Sequence, residues 1–115
     1  MDRIDRIYRD VKESILAELS PAGFELFRDE VDGPFGSNYI ELHRGREAIR
    51  FVWDGKESWF VLERCPDTGL EPHPSWKDVR FERIKLSDLD AEMSKQLFQV
   101  FREAIGELAS EYRAA

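Results

Sequence analysis

Three side chains in this chain could carry nucleophilic or metal chemistry: Cys65, His43 and His73. A cysteine nucleophile reacts as the thiolate and needs a base within hydrogen-bond reach. Cys65 opens the proline-rich segment 65–75 and His73 lies inside it, so a thiol–imidazole pair can be drawn, yet no motif surrounds either histidine. One cysteine and no further close histidine fall short of the four ligands of a structural zinc site. The simpler reading is a solvated loop histidine and a semi-buried thiol, so Cys65→Ser and His73→Ala are expected to leave folding nearly unchanged. A lone cysteine also rules out an intramolecular disulfide and suits a reducing compartment, which makes the cytoplasm the expected location.

Carboxylates are plentiful. Asp29, Glu30 and Asp32 run into Gly33-Pro34-Phe35-Gly36, but the ligand ladder and distal glutamate of a calcium loop are missing. Acid–base carboxylate pairs are defined by spatial separation and a pKa shift, neither of which a sequence displays. No glycine-rich phosphate loop, no HExxH and no basic patch interleaved with aromatics occurs. No catalytic residue, metal or cofactor is therefore expected. With 17 basic against 24 acidic residues, the formal charge of -7 repels phosphate backbones and argues against nucleic acid as a partner. The charged N-terminus and the lack of any stretch near 20 apolar residues lead us to expect neither a signal peptide nor a membrane span.

The elements that would position these groups follow from hydrophobic periodicity. Ile4, Ile7, Tyr8, Val11, Ile15 and Leu19 recur at helical steps, and Pro21 and Gly23 end the pattern. A first strand is expected from Phe24 to about Val31. Ile40 and Leu42, then Ile49, Phe51 and Trp53, then Phe60 and Leu62 each alternate with more polar neighbours, giving an antiparallel meander with strands near 38–44, 47–53 and 58–64. A two-residue turn at Gly45-Arg46 sets Leu42 opposite Ile49 and Ile40 opposite Phe51. For the second hairpin a four-residue loop, 54–57, aligns Phe51 with Phe60 and Ile49 with Leu62.

The segment 76–84 stays undecided: Ser75 with Asp78 suggests a helix cap, whereas Val79-Arg80-Phe81 alternates like a strand. Ser87 with Asp90 suggests another cap, followed by a long stripe of Leu89, Met93, Leu97, Val100, Phe101, Ile105, Leu108 and Tyr112. The expected fold is α+β: one domain over 1–115, with an N-terminal helix, an antiparallel sheet of about four strands and a long C-terminal helix. Both helices are expected to cover one sheet face. At 42% hydrophobic and 36% charged residues, the chain has the composition of a self-sufficient core.

That arrangement leaves the other sheet face to account for. Tyr39, Val52 and Trp59 fall in one row and Glu41, Arg50 and Val61 in the next, so Glu41 and Arg50 can pair and Arg50 can lie over Trp59. Aromatics beside an arginine are the residue types that dominate protein contacts.

Helix, sheet, helix in an acidic chain of this size, with Ile49-Arg50-Phe51-Val52-Trp53-Asp54-Gly55-Lys56-Glu57-Ser58-Trp59-Phe60 at its centre, resembles the small bacterial α+β families that include toxin-system immunity proteins. The resemblance implies a stoichiometric binder that masks a toxin, its acidic surface facing a basic active site; it carries over no site residue. We therefore expect a non-enzymatic protein-binding domain, of the immunity or regulatory kind, that engages another protein or a second copy through Tyr39, Arg50, Val52 and Trp59. The alternative is a small enzyme or ligand-binding protein with a pocket between the sheet and the 65–75 loop, near His73 and Trp76.

Overall fold

In a computed structural model of the chain, which describes residues 2–31, 33–70 and 73–114, the first helix starts where Asp2 caps it: Asp5 N donates to Asp2 Oδ1 at 2.8 Å. Asp32, from the acidic turn, and Glu71 and Pro72, beside His73, lie outside the described residues. The helix α1 (Arg3–Leu19) buries Ile7, Tyr8, Val11, Ile15 and Leu19 of the stripe that the three- and four-residue spacing marks out, while Ile4, in its first turn, is half-buried. It stops at Ser20, and Gly23, at φ 98°, takes the left-handed conformation that a glycine adopts without strain.

The sheet has five antiparallel strands, not about four, in the order β1-β2-β3-β4-β5. They are β1 (Glu25–Glu30), β2 (Asn38–Arg44), β3 (Glu47–Asp54), β4 (Trp59–Cys65) and β5 (Lys77–Arg83). The fifth is the segment left undecided between helix and strand. Its alternation prevails over the Ser75 and Asp78 cap signal because pairing with β4 satisfies its backbone.

The first hairpin has the expected register, with Leu42 opposite Ile49 and Ile40 opposite Phe51. The second differs from the expected one by two residues: Phe51 faces Leu62, Trp53 faces Phe60 and Asp54 faces Trp59. The loop still has four residues, but they are 55–58. Asp54 is the reason. Its Oδ1 accepts from the backbone N–H of Lys56 and of Glu57, both at 3.0 Å, and its carbonyl accepts from Ser58 N at 2.8 Å, which closes the strand one residue later. A slip of two preserves the face of every side chain. Ile40, Leu42, Ile49, Phe51, Phe60 and Leu62 are accordingly all fully buried, and the rings of Phe51 and Phe60 stack at 5.5 Å.

The last helix, α2 (Ala91–Ala114), begins later than Ser87. Residues 86–88 form a short 3-10 turn, and Asp90 acts as the cap, accepting from Met93 N at 2.8 Å. Leu97, Phe101, Ile105, Leu108 and Ala109 are its buried positions. The elements form two compact units, Met1–Gly23 with Ile84–Ala115, and Phe24–Arg83. Within the first unit α1 and α2 run side by side, and Arg113 Nη2 donates to Glu18 Oε2 at 3.2 Å. No helix among the described residues is long and apolar enough to cross a membrane.

Candidate functional site

Strand alternation sends Tyr39, Val52, Val61 and Phe81 to the sheet face opposite Phe51 and Phe60, and the register aligns these four as one row. The neighbouring row is Glu41, Arg50, Glu63 and Asp78. Trp59, opposite Arg83, stands in the row beyond Phe81. Together Tyr39, Arg50, Val52, Trp59, Val61, Glu63, Asp78 and Phe81 line an open concavity of about 510 Å³.

The four side chains expected to form a binding face are thus all in the lining, although Trp59 is not in the row of Tyr39 and Val52. The two-residue slip puts Val61 there instead. Val61 makes the floor at 7% exposure, while Phe81 is 41% exposed at the sheet edge. The rings of Trp59 and Phe81 meet at 5.2 Å in a tilted arrangement, the geometry that brings the positive edge of one ring toward the negative face of the other.

Arg50 has different partners from those expected. It stands opposite Glu41 in the register, yet its Nε donates to Glu63 Oε1 at 3.0 Å. Glu41 instead accepts from His43 Nε2 at 2.6 Å. The Arg50 guanidinium lies not over Trp59 but over Trp76, 4.0 Å from the ring centre. Trp59 receives Arg83 at 5.6 Å. On the far side of the row, Arg28 Nη1 donates to the Tyr39 hydroxyl at 3.1 Å, and that hydrogen bond, first among its causes, raises the Arg28 pKa above its ordinary value.

Asp78 reaches this face because of a β-bulge. The pairing steps from Arg80 opposite Leu62 to Asp78 opposite Glu63, which leaves Val79 as the extra residue. Without it Asp78 would point to the same side as Arg80 and away from Phe81; bulges re-aim side chains in this way.

The other candidates are dispersed. His43 stacks on Phe27 with ring centres 3.9 Å apart, and Cys65 is fully buried, not semi-buried, at the end of β4. His73 is exposed and does not line the concavity, so of the two alternative ligand residues only Trp76 is drawn toward it, through Arg50. Among the described residues no three His, Cys, Asp or Glu side chains converge in a metal-binding group. Glu63, Asp78 and Phe81 are lining residues that the sequence pattern does not single out. The alternation of Val79-Arg80-Phe81 was the signal that could have placed Phe81, whereas the bulge that turns Asp78 leaves no mark in the pattern. Comparison with protein-family models, with curated proteins and with solved structures finds no match to this chain.

Proposed function

We propose that the chain is a non-enzymatic protein-binding domain of the immunity or regulatory kind, acting in the cytoplasm, that neutralises its partner by holding it against the Tyr39, Arg50, Val52 and Trp59 face. The observation that carries this reading is the gathering of those side chains with the exposed Phe81 around one concavity on the sheet face that the core does not use. Trp, Tyr and Arg are the side chains that most often dominate association energies, and here they rest on an apolar floor with a charged rim. The formal charge of -7 favours a partner that is basic where it docks.

A second reading has its own support. A volume of about 510 Å³ falls within the range of small-molecule pockets, roughly 300–1,000 Å³. A ligand would then rest on Val52 and Val61 with Trp76 behind Arg50, and not beside His73.

Affinity capture from a lysate of the source cell, with the intact chain and with Trp59→Ala as parallel baits, separates the two. One stoichiometric protein retained by the intact chain and lost by the variant supports the binding domain. Equal recovery by both baits, or no protein at all, contradicts it.

A further inference from the structure

We infer that the concavity receives a lysine or arginine side chain from the protein partner, an inference that rests on the protein-binding reading above. The floor is apolar, formed by Val52 and Val61, and Tyr39 and Phe81 stand at its two ends in the same row. The adjacent row carries two carboxylates, Glu63 and Asp78, beside a single arginine. Arg50 is bonded to Glu63 and stacked on Trp76, so that pair is neutral and committed. Asp78, by contrast, is exposed and has no ion-pair partner among the described residues. The lining therefore holds one net negative charge at the end of an apolar trough.

A long aliphatic stem with a cationic head matches that order of surfaces, because lysine and arginine lay their methylenes on apolar groups while the head seeks charge and water. The aromatic rings of this unit already take cations: Arg50 lies over Trp76, Arg83 over Trp59 and Lys56 over Phe35. Phe81 carries no such cation over its ring among the described residues, which leaves one π face on the same strand as the Asp78 carboxylate for an incoming one; Tyr39 bounds the far end of the row, three strands away. The bulge at Val79 is what brings the carboxylate to this side of the sheet.

The test uses the full chain, labelled for amide NMR, and acetylated, amidated pentapeptides with two glycines on either side of a central lysine, arginine, norleucine or glutamate. Norleucine keeps the stem and removes the charge. The lysine and arginine peptides should shift the amides of Val61, Asp78 and Phe81 saturably, and bind at least about fivefold more tightly than norleucine. Asp78→Asn should reduce them to the norleucine level with the thermal midpoint unchanged. Equal binding of norleucine, a cation preference that survives Asp78→Asn, shifts confined to other residues, or no shift at millimolar peptide would each overturn the inference. Binding of free n-butylamine as tight as that of the lysine peptide would also overturn it, by assigning the site to a small amine. If norleucine binds equally while Trp59→Ala still abolishes capture of the partner, the cation is wrong and the binding face stands; failure of the capture experiment is a separate failure.

Discussion

Arg50 places its guanidinium carbon 4.0 Å from the centre of the Trp76 ring while its Nε donates to Glu63 at 3.0 Å. One side chain of β3 thus ties β4 to the residue that leads into β5. The Glu63 side chain is only 15% exposed, so removing its partner leaves a carboxylate poorly served by water. Arg50→Ala should cost about 1.5–3 kcal/mol, as for a hydrogen bond to a charged group. Arg50→Lys should recover little of this, because an ammonium lacks both the planar face for Trp76 and the Nε donor. Urea unfolding of both variants checks the order; a lysine variant as stable as the parent would show that only charge matters.

Two glycines should respond oppositely to alanine. A Cβ on Gly55 would come within 2.1 Å of the Phe35 carbonyl oxygen, and Gly55 N also donates to Ser37 Oγ at 2.9 Å, so the loop at 55–58 and the turn at 33–37 pack backbone to backbone. Gly55→Ala should destabilise by about 2 kcal/mol or more, as overpacking against rigid backbone does. Gly106 sits in α2, where a Cβ would meet nothing within 4 Å. Gly106→Ala should stabilise by about 0.5–1 kcal/mol through helix propensity. Thermal or urea midpoints moving in the same direction for both would contradict this packing.

Cys65 is fully buried opposite Ala48, which changes the expectation for Cys65→Ser. A hydroxyl in place of the thiol must find a hydrogen bond in an apolar site, and the substitution should cost about 1–3 kcal/mol instead of being neutral. Cys65→Ala should be better tolerated. In the parent, the thiol should react with a disulfide reagent only at the rate of unfolding; prompt stoichiometric labelling in native buffer would show it to be accessible.

These variants also show where the sequence was legible. Period-two alternation assigns Ile40, Leu42, Ile49, Phe51, Phe60 and Leu62 to one face, and all six are fully buried. That assignment survives a wrong register because an even slip leaves faces unchanged. Cross-strand partners do not survive it. The loop that Asp54 organises moves Glu63, in place of Val61, opposite Arg50, so the pattern alone offers Arg50 only Glu41 as a cross-strand partner. The site was therefore legible as a face and not as a set of contacts. Its outer wall was missed with β5, where cap-like residues and strand alternation compete, and Asp78 was missed because a bulge reverses the side to which it points.

The exposed edge of the concavity gives a further expectation. Phe81 is 41% exposed and touches Trp59, so Phe81→Ser should cost about 1–2 kcal/mol of stability through the lost ring pair and strand preference, and should weaken partner capture as well, because the exposed part of the ring is removed from water only in the complex. Paired thermal melts and capture yields check this. A large fall in midpoint with unchanged capture would assign Phe81 to the packing of β4 against β5 alone.

Whether this sheet face binds a protein is decided by the dissociation constant of the captured partner for the intact chain and for Trp59→Ala, measured by titration calorimetry alongside thermal melts of both. Binding by Trp59→Ala should be weaker by about 2 kcal/mol or more, roughly 30-fold, with both proteins folded at the measuring temperature. An unchanged dissociation constant together with a large loss of stability would place Trp59 in the structural packing of the sheet and contradict binding through this face.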